Sequence, residues 1–279
     1  MATGVLVVVA TPIGNLADLS PRAADALRTA DLVLAEDTRR TATLMRHVGS
    51  SVRMRALHDH NEDAEVDDVV ARLAAGATIV LVSDAGTPTV SDPGVRVIRA
   101  ASAAGMAVST VPGPSAVLAA LSVAGLPTDR FVFEGFLPRR GAVRTARLEE
   151  IARETRTIVV FVSVHRAGDD LADLADAMGR DRAAVACREL TKLHEEIVSA
   201  TLGELADRVG SSGLKGELTL VIAGAEPAPV PGLDRLVDEV RAREAAGQSR
   251  RDAVRTVAEE LGVSRRKLYQ AVLGASPEA

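Results

Sequence analysis

Val5-Leu6-Val7-Val8-Val9-Ala10, running directly into Thr11-Pro12-Ile13-Gly14-Asn15, is the stretch on which the fold turns. An unbroken apolar run, β-branched at most positions and too short for a helix, reads as a buried strand, and the turn residues behind it stop it. Ser20-Pro21 then opens a helix: the serine caps it, and proline at the first helical position sacrifices no hydrogen bond. Similar apolar runs at residues 32–35, 78–82 and 108–111 alternate with helical patterns at 41–47, 65–75 and 95–104. Alternating buried strands and helices predict an α/β fold with a mostly parallel sheet covered on both faces.

This first series ends near Leu126-Pro127-Thr128-Asp129. A second follows, with strands at 131–134, 158–162, 183–187, 197–200 and 218–223 and helices at 144–154, 170–178 and 202–209. The expectation is two tandem α/β domains, residues 1–126 and 127–225, followed by a linker and small helical tail at 226–279. Glu226-Pro227-Ala228-Pro229-Val230-Pro231-Gly232 is stiff and continues neither a helix nor a central strand. In the tail, Ser249 and Ser264 are placed to cap two short amphipathic helices joined at Gly262-Val263. With Arg250, Arg251, Arg255, Arg265, Arg266 and Lys267 on it, the pattern is similar to a helix-turn-helix. A purely structural helix pair and a nucleic-acid contact both fit it.

The chain has 279 residues, 47% hydrophobic and 25% charged, enough to bury sizeable cores and unlike a disordered chain. No apolar run approaches the roughly 20 residues of a membrane span. The first residues carry no basic stretch and read as the approach to a strand, so a cytoplasmic protein is expected. Cys187 stands alone, which excludes an internal disulfide and a multi-thiolate metal site. His47, His58, His60, His165 and His194 are scattered, and no metal is expected. The net charge of −5 argues against a uniformly basic nucleic-acid binder, although local patches survive such an average. Lys192, Lys215 and Lys267 are the only lysines among 33 basic residues, a bias that genomic base composition explains as well as chemistry does.

Open parallel sheets collect ligands outside the carboxyl ends of their strands. There the chain places Thr11-Pro12-Ile13-Gly14-Asn15, Glu36-Asp37-Thr38-Arg39-Arg40, Ser83-Asp84-Ala85-Gly86-Thr87-Pro88 and Pro112-Gly113-Pro114-Ser115-Ala116. One such loop would be an ordinary turn; all of them on one sheet edge make a binding crevice. Glycines allow close backbone approach, prolines limit the entropy lost on ordering, and small side chains leave room for a flat ring. Neither the dinucleotide fingerprint nor the phosphate-loop motif is present, so the implied ligand is nucleoside-like without a phosphate cradle.

Other segments carry two readings each. Asp92, in Ser91-Asp92-Pro93-Gly94, reads first as the cap of the helix at 95–104 and second as a ligand-facing acid. Asp37 serves either chemistry or a helix cap, and His58-Asp59-His60-Asn61-Glu62 either borders the crevice or is a solvated connection. Arg188-Glu189-Leu190-Thr191-Lys192-Leu193-His194-Glu195-Glu196 is either a hairpin connection with internal ion pairs or a site segment. In the second case Lys192 polarises a hydroxyl and a glutamate takes its proton. Arg139, Arg140, Arg144 and Arg147 suit phosphate contacts or decorate a helix start. Phe133, Phe136 and Phe161 read as core.

Val-Ala-Thr-Pro-Ile-Gly-Asn-Leu (9–16), Ala-Glu-Asp-Thr-Arg (35–39), Val-Ser-Asp-Ala-Gly-Thr-Pro (82–88), Ser-Asp-Pro-Gly (91–94) and Val-Pro-Gly-Pro-Ser-Ala (111–116) together become recognisable. With Gly-Leu-Pro-Thr-Asp-Arg-Phe (125–131), Phe-Glu-Gly-Phe-Leu-Pro-Arg (133–139) and Arg-Glu-Leu-Thr-Lys-Leu-His-Glu-Glu (188–196), they resemble the RNA-methylating branch of the tetrapyrrole methylase superfamily. The resemblance spans residues 5–223, and the tail is also similar. It implies a homodimer of two-domain α/β chains with S-adenosylmethionine in the cleft between domains. The implied reaction is methyl transfer to the ribose 2′-hydroxyl of a cytidine in the decoding region of 16S rRNA, on free rRNA or the small ribosomal subunit.

Motif matching places the cofactor against Pro12, Ala85, Gly86, Thr87 and Val90, and against Ser115, Ala116, Val162 and Leu190. The chain departs from the pattern at Val162, where relatives carry an acid, and at Thr89, where they carry glycine. Alignment of the ribose oxygen and removal of one proton are the protein's main tasks. Lys192 is expected to orient the hydroxyl and a carboxylate among Asp37, Glu36 and Asp84 to accept the proton, with Arg39, Arg139, Arg140 and Arg144 holding RNA. Rival readings are a methylase of a tetrapyrrole ring and a DNA-binding regulator acting through the tail. A dinucleotide-dependent oxidoreductase lacks its fingerprint.

Overall fold

The computed structural model describes residues 4–212, 214–226 and 232–274. In chain order it runs β1 (Val5–Val9), α1 (Pro21–Thr29), β2 (Leu32–Ala35), α2 (Thr38–Val48), β3 (Met54–Ala56), α3 (Glu62–Ala74), β4 (Thr78–Val82), α4 (Val95–Ala103), β5 (Ala107–Val111) and α5 (Ala116–Ala124). Then come β6 (Phe131–Phe136), α6 (Ala142–Ala152), β7 (Thr157–Val162), α7 (Ala167–Met178), β8 (Ala183–Arg188), β9 (Glu196–Thr201), α8 (Leu202–Ser212) and β10 (Leu218–Ile222). The tail holds α9 (Leu233–Ala245), α10 (Arg250–Glu260) and α11 (Arg265–Gly274).

The first sheet is parallel throughout, in the order β3-β2-β4-β1-β5. Its central strands are apolar in nearly every residue because both faces are roofed. On one face Ala23 and Leu27 of α1 and Leu44 and Met45 of α2 meet Val9, Val33 and Val80. On the other, Val69 and Leu73 of α3 and Val97 and Ala101 of α4 meet Leu6, Leu34, Ile79 and Leu81. Burying such a side chain contributes roughly 1.5–3 kcal/mol against leaving it in water. The edge strand β5 departs from the expected burial on both faces. Ala107, Val108, Ser109 and Thr110 are exposed, because α5 packs against the second sheet instead of closing over β5.

The second sheet, β6-β7-β10-β8-β9, is mixed: β6 and β7 are parallel and all other pairs antiparallel. Alternation along β7 divides its faces. Ile158, Val160 and Val162 join Ile151, Leu171, Leu174 and Leu202 beneath α6, α7 and α8, while Val159 and Phe161 face α5. The chain divides after Ala225 into two compact units, and the 126/127 boundary drawn from sequence falls between the two sheets, inside the first unit. In the second unit α9, α10 and α11 bury Val240, Val254, Val257 and Leu268 in a core of their own. Ser249 caps α10, and Gly262 makes the turn to α11 with φ +64°. Most of the Pro-rich linker, residues 227–231, lies outside the described residues.

Candidate functional site

The loops after β1 and β4 are tied by a bridge beyond the strand ends: Thr11 N–H donates to Gly86 O (2.8 Å) and Gly86 N–H to Thr11 O (3.0 Å). Gly86 holds φ +82°, and a Cβ there would meet Ile13 Cγ2 at 3.3 Å. Thr87 Oγ1 donates to Pro114 O (3.2 Å), which fixes the loop after β4 against the one after β5. These ties shape a cleft of about 400 Å³. One wall comes from Ala85, Gly86, Thr87, Val90, Ser115 and Ala116 of the first sheet, the other from Phe136, Phe161, Val162 and Leu218 of the second. The volume lies in the range of small-molecule sites.

Seven of the nine residues assigned to the cofactor by motif, Ala85, Gly86, Thr87, Val90, Ser115, Ala116 and Val162, therefore line one cavity. Leu190 does not; it is 8% exposed in the core with Ile13, Val117 and Cys187. Pro12 lines a second cavity, of about 180 Å³, on the other side of Asp84. The Val162 side chain is 3% exposed and joins the core under α7. Thr89 holds φ +72°, a left-handed conformation that favours glycine. Phe136 corrects its reading as a core residue, whereas Phe161 packs partly buried against the core as well as lining the cleft. Phe136 is exposed, its ring centroid lies 5.5 Å from that of Phe161, and both residues line the cleft. Phe133 stacks behind them, edge-on to Phe161 at 4.9 Å.

The cleft is acidic. Glu36, Asp84, Asp92 and Glu217 line it beside a single arginine of the lining, Arg40. Burial, reinforced by the charge of Asp84, raises the Glu36 carboxyl above its ordinary value. Burial, with Glu36 adding to it, pushes Asp92 up to about 6. Asp92 is not the helix cap that its place before Pro93 suggests. Gly94 occupies the N-cap of α4, and the buried Glu62 carboxylate accepts from the N–H groups of Arg96 (2.6 Å) and Val97 (3.1 Å) instead. A capping acid delivered from α3 left Asp92 to the cleft, and no local signal in the sequence announces such a long-range cap.

Asp37 takes the structural role. It caps α2 by accepting from Arg39 N–H (2.8 Å), and the Arg39 guanidinium holds its carboxyl down at about 2. It does not line the cleft. Asp84 accepts from Asp37 N–H (2.9 Å) and pairs with Arg40 Nη1 (3.2 Å). Lys192 Nζ bonds Glu189 Oε1 (2.8 Å) and Glu217 Oε2 (3.1 Å). Burial pulls its ammonium down, but those two hydrogen bonds outweigh burial and leave it above its ordinary value. Its stem lies on Gly14, where a Cβ would stand 2.5 Å from Lys192 Cγ. Glu189 and Thr191 carry φ +53° and +67°, strain of the sort that gathers at functional sites.

Of the arginines assigned to RNA, Arg39, Arg139 and Arg140 are exposed. Arg144 is not available for it. It is 7% exposed, and it donates from Nε to Asp173 (2.7 Å) and from Nη1 to Pro138 O (2.9 Å) while pairing with Asp170 at 2.9 Å. Its place at the start of α6 turns it inward against α7. His58 and His60 stand with ring centroids 6.2 Å apart, and no cluster of His, Cys, Asp and Glu able to hold a metal occurs among the described residues. No helix among them is long and apolar enough to cross a membrane.

Residues 5–206 match the profile of the tetrapyrrole (corrin/porphyrin) methylases. The chain is 44% identical to ribosomal RNA small subunit methyltransferase I of Synechocystis sp., over 96% of both chains. It is 50% identical to the protein of that name in Xylella fastidiosa, over 80% of this chain and 82% of that one. The fold is also that of uroporphyrin-III C-methyltransferase from Thermus thermophilus complexed with S-adenosylhomocysteine, with a TM-score of 0.55 at 21% identity, covering 78% of this chain and 96% of that one. The chain is thus a tetrapyrrole methylase by family, and within that family it belongs with the ribosomal RNA small subunit methyltransferase I proteins.

Proposed function

We propose that this chain is an S-adenosylmethionine-dependent methyltransferase of the ribose 2′-hydroxyl of a cytidine in the decoding region of 16S rRNA. The observation that carries the reading is the cleft itself: small residues on one wall, aromatic rings on the other, carboxylates at its edge. That lining fits a nucleoside bearing a sulfonium cation. It repels a diphosphate, for which the loops supply no cradle. Ala85, Gly86, Thr87, Ser115 and Ala116 would hold the nucleoside through backbone groups, with Phe136 and Phe161 against flat surface. When bound, the donor supplies an electrophilic methyl group.

The protein's own work is then alignment, proton removal and exclusion of water. Lys192 stays an ammonium; two of its three donors are held by Glu189 and Glu217, and the third is left to orient a hydroxyl. Glu36 and Asp84 are the carboxylates placed to take a proton, whereas Asp37, capping α2 and paired with Arg39, is not. Arg139 and Arg140 face solvent, suited to phosphates, and Arg39 is exposed too, although its guanidinium already pairs with Asp37. The two sheets, residues 1–126 and 127–225, act as the two lobes of the enzyme. The protein works in the cytoplasm as a homodimer.

The test is incubation with radiolabelled S-adenosylmethionine and either small ribosomal subunits or a porphyrinoid, followed by mapping of the label. Label on a ribose of 16S rRNA is the expected result. Label on the porphyrinoid alone would replace this function with ring methylation.

A further inference from the structure

The second cavity, of about 180 Å³, opens at the same sheet edge as the cleft. It is built from Thr11, Pro12 and Gly14 behind β1, Thr41 and Thr43 on α2, and Ser83 behind β4. A liquid water molecule occupies about 30 Å³, so the space admits a group the size of a nucleobase or ribose. Its walls are rich in hydroxyls, and its charges, Arg40 and Asp84, balance, unlike those of the acidic cleft. Thr41 is 4% exposed, and its Oγ1 has no hydrogen-bond partner among the described residues. Orphaned buried hydroxyls are rare, and one behind the wall of a polar cavity is explained by an occupant that completes it.

Among the lining residues of the two cavities, Arg40 and Asp84 are common to both. Group transfer between two bound molecules takes place where their sites meet. We infer that the second cavity seats the nucleotide to be methylated, and that Asp84, at the shared edge, accepts the proton of its 2′-hydroxyl. The inference rests on the reading of the chain as an RNA ribose methyltransferase. As the ribose oxygen bonds the methyl carbon, that carbon's bond to sulfur breaks with its electron pair left on sulfur, and the hydroxyl proton passes to the Asp84 carboxylate. Asp84 is already oriented for this by Asp37 N–H and Arg40. Glu36 lines the cleft and not the second cavity, and Lys192 rests its stem on Gly14 of the second cavity while its ammonium bonds Glu217 of the cleft.

Thr43 is exposed on α2 and Leu16 also lines the cavity, from the loop behind β1, so Thr43→Trp and Leu16→Trp fill the space from different walls. Two measurements without the methyl donor accompany turnover: affinity for small ribosomal subunits, and affinity for S-adenosylhomocysteine by calorimetry. Each tryptophan variant is expected to bind subunits at least tenfold more weakly and to keep its S-adenosylhomocysteine affinity within twofold, which also reports an intact fold. Asp84→Asn retains the oxygen that accepts from Asp37 N–H. It is expected to lower kcat about 10²-fold or more, the usual scale for a general base, at unchanged KM and unchanged binding. Wild-type subunit affinity in both tryptophan variants would overturn the acceptor seat, as would joint loss of both affinities. A kcat within threefold of wild type would remove Asp84. A wild-type protein that labels no rRNA would overturn the RNA reading, and this inference with it.

Discussion

Arg144 and Asp92 show how little a residue's type says about its task until its surroundings are known. Arg144 looks like one more phosphate-binding arginine, yet its guanidinium is enclosed with Asp170, itself nearly inaccessible. Removing one partner of such a buried pair leaves an uncompensated charge, at a cost of about 3–5 kcal/mol. Arg144→Ala should lose about that much in urea unfolding, while Arg139→Ala and Arg140→Ala leave the midpoint unchanged. Equal midpoints in all three would return Arg144 to the surface. Asp92 makes a second case, through pH. Its carboxyl rises from an ordinary 3.8 to about 6, so between those values the folded chain binds more protons than the unfolded one. The neutral form's stabilisation is complete below pH 3.8 and is lost as pH climbs through 6. Asp92→Asn, which stays neutral, should therefore melt higher than wild type near neutral pH, with the gap closing as the solution is acidified past the ordinary carboxylate value. A gap that widens in acid would contradict the assignment.

At the scale of elements, the site depends on contacts between segments far apart in sequence. The loop behind β1 and the connection between β8 and β9 meet at Gly14, with no room for a methyl group: Lys192 Cγ stands 2.5 Å and Leu190 O 3.0 Å from where it would lie. Gly14→Ala should displace Lys192 and cost about 1–3 kcal/mol, the usual range for overpacking. In a Lys192→Ala background the same substitution should cost less, because part of the obstruction is gone; strict additivity in the double-mutant cycle would show that the two segments do not bear on each other. Such couplings are what sequence patterns cannot carry. The strands β2 and β4 and the start of α4 are legible residue for residue, since each is an uninterrupted apolar run or follows a clear turn. The helix α5 is not, because Val117 and Leu121 pack on the second sheet while the equally apolar Leu118 and Val123 stay exposed, erasing the helical period. β3, three residues long, has no period to read. In the site, the small-residue loops were legible because their composition is itself the signal. The release of Asp92 by Glu62, the inward turn of Arg144 and the aromatic wall depend on partners dozens of positions away.

For the whole molecule, the open matter is how a chain of net charge −5 holds a polyanion. The acidic cleft cannot supply the attraction, so it has to come from exposed cations elsewhere. The second compact unit offers the densest group: Arg265, Arg266 and Lys267, exposed in succession at the start of α11, with the exposed Tyr269 close behind. That unit has a core of its own, and these exposed charges lie outside it. Each cation that neutralises a phosphate releases condensed counterions, and removing one such cation flattens the slope of log affinity against log salt by about 0.7–0.9. Replacing all three with glutamate should therefore flatten the slope for small ribosomal subunits by about 2–3 and weaken binding most at low salt. The melting temperature and the affinity for S-adenosylhomocysteine should stay as in wild type. A slope that does not move would take α11 out of the RNA interface and leave Arg39, Arg139 and Arg140 to bear it. If the slope flattens but methylation at saturating subunit concentration keeps its rate, the tail holds the substrate without aligning it, and the chemistry belongs wholly to the first unit.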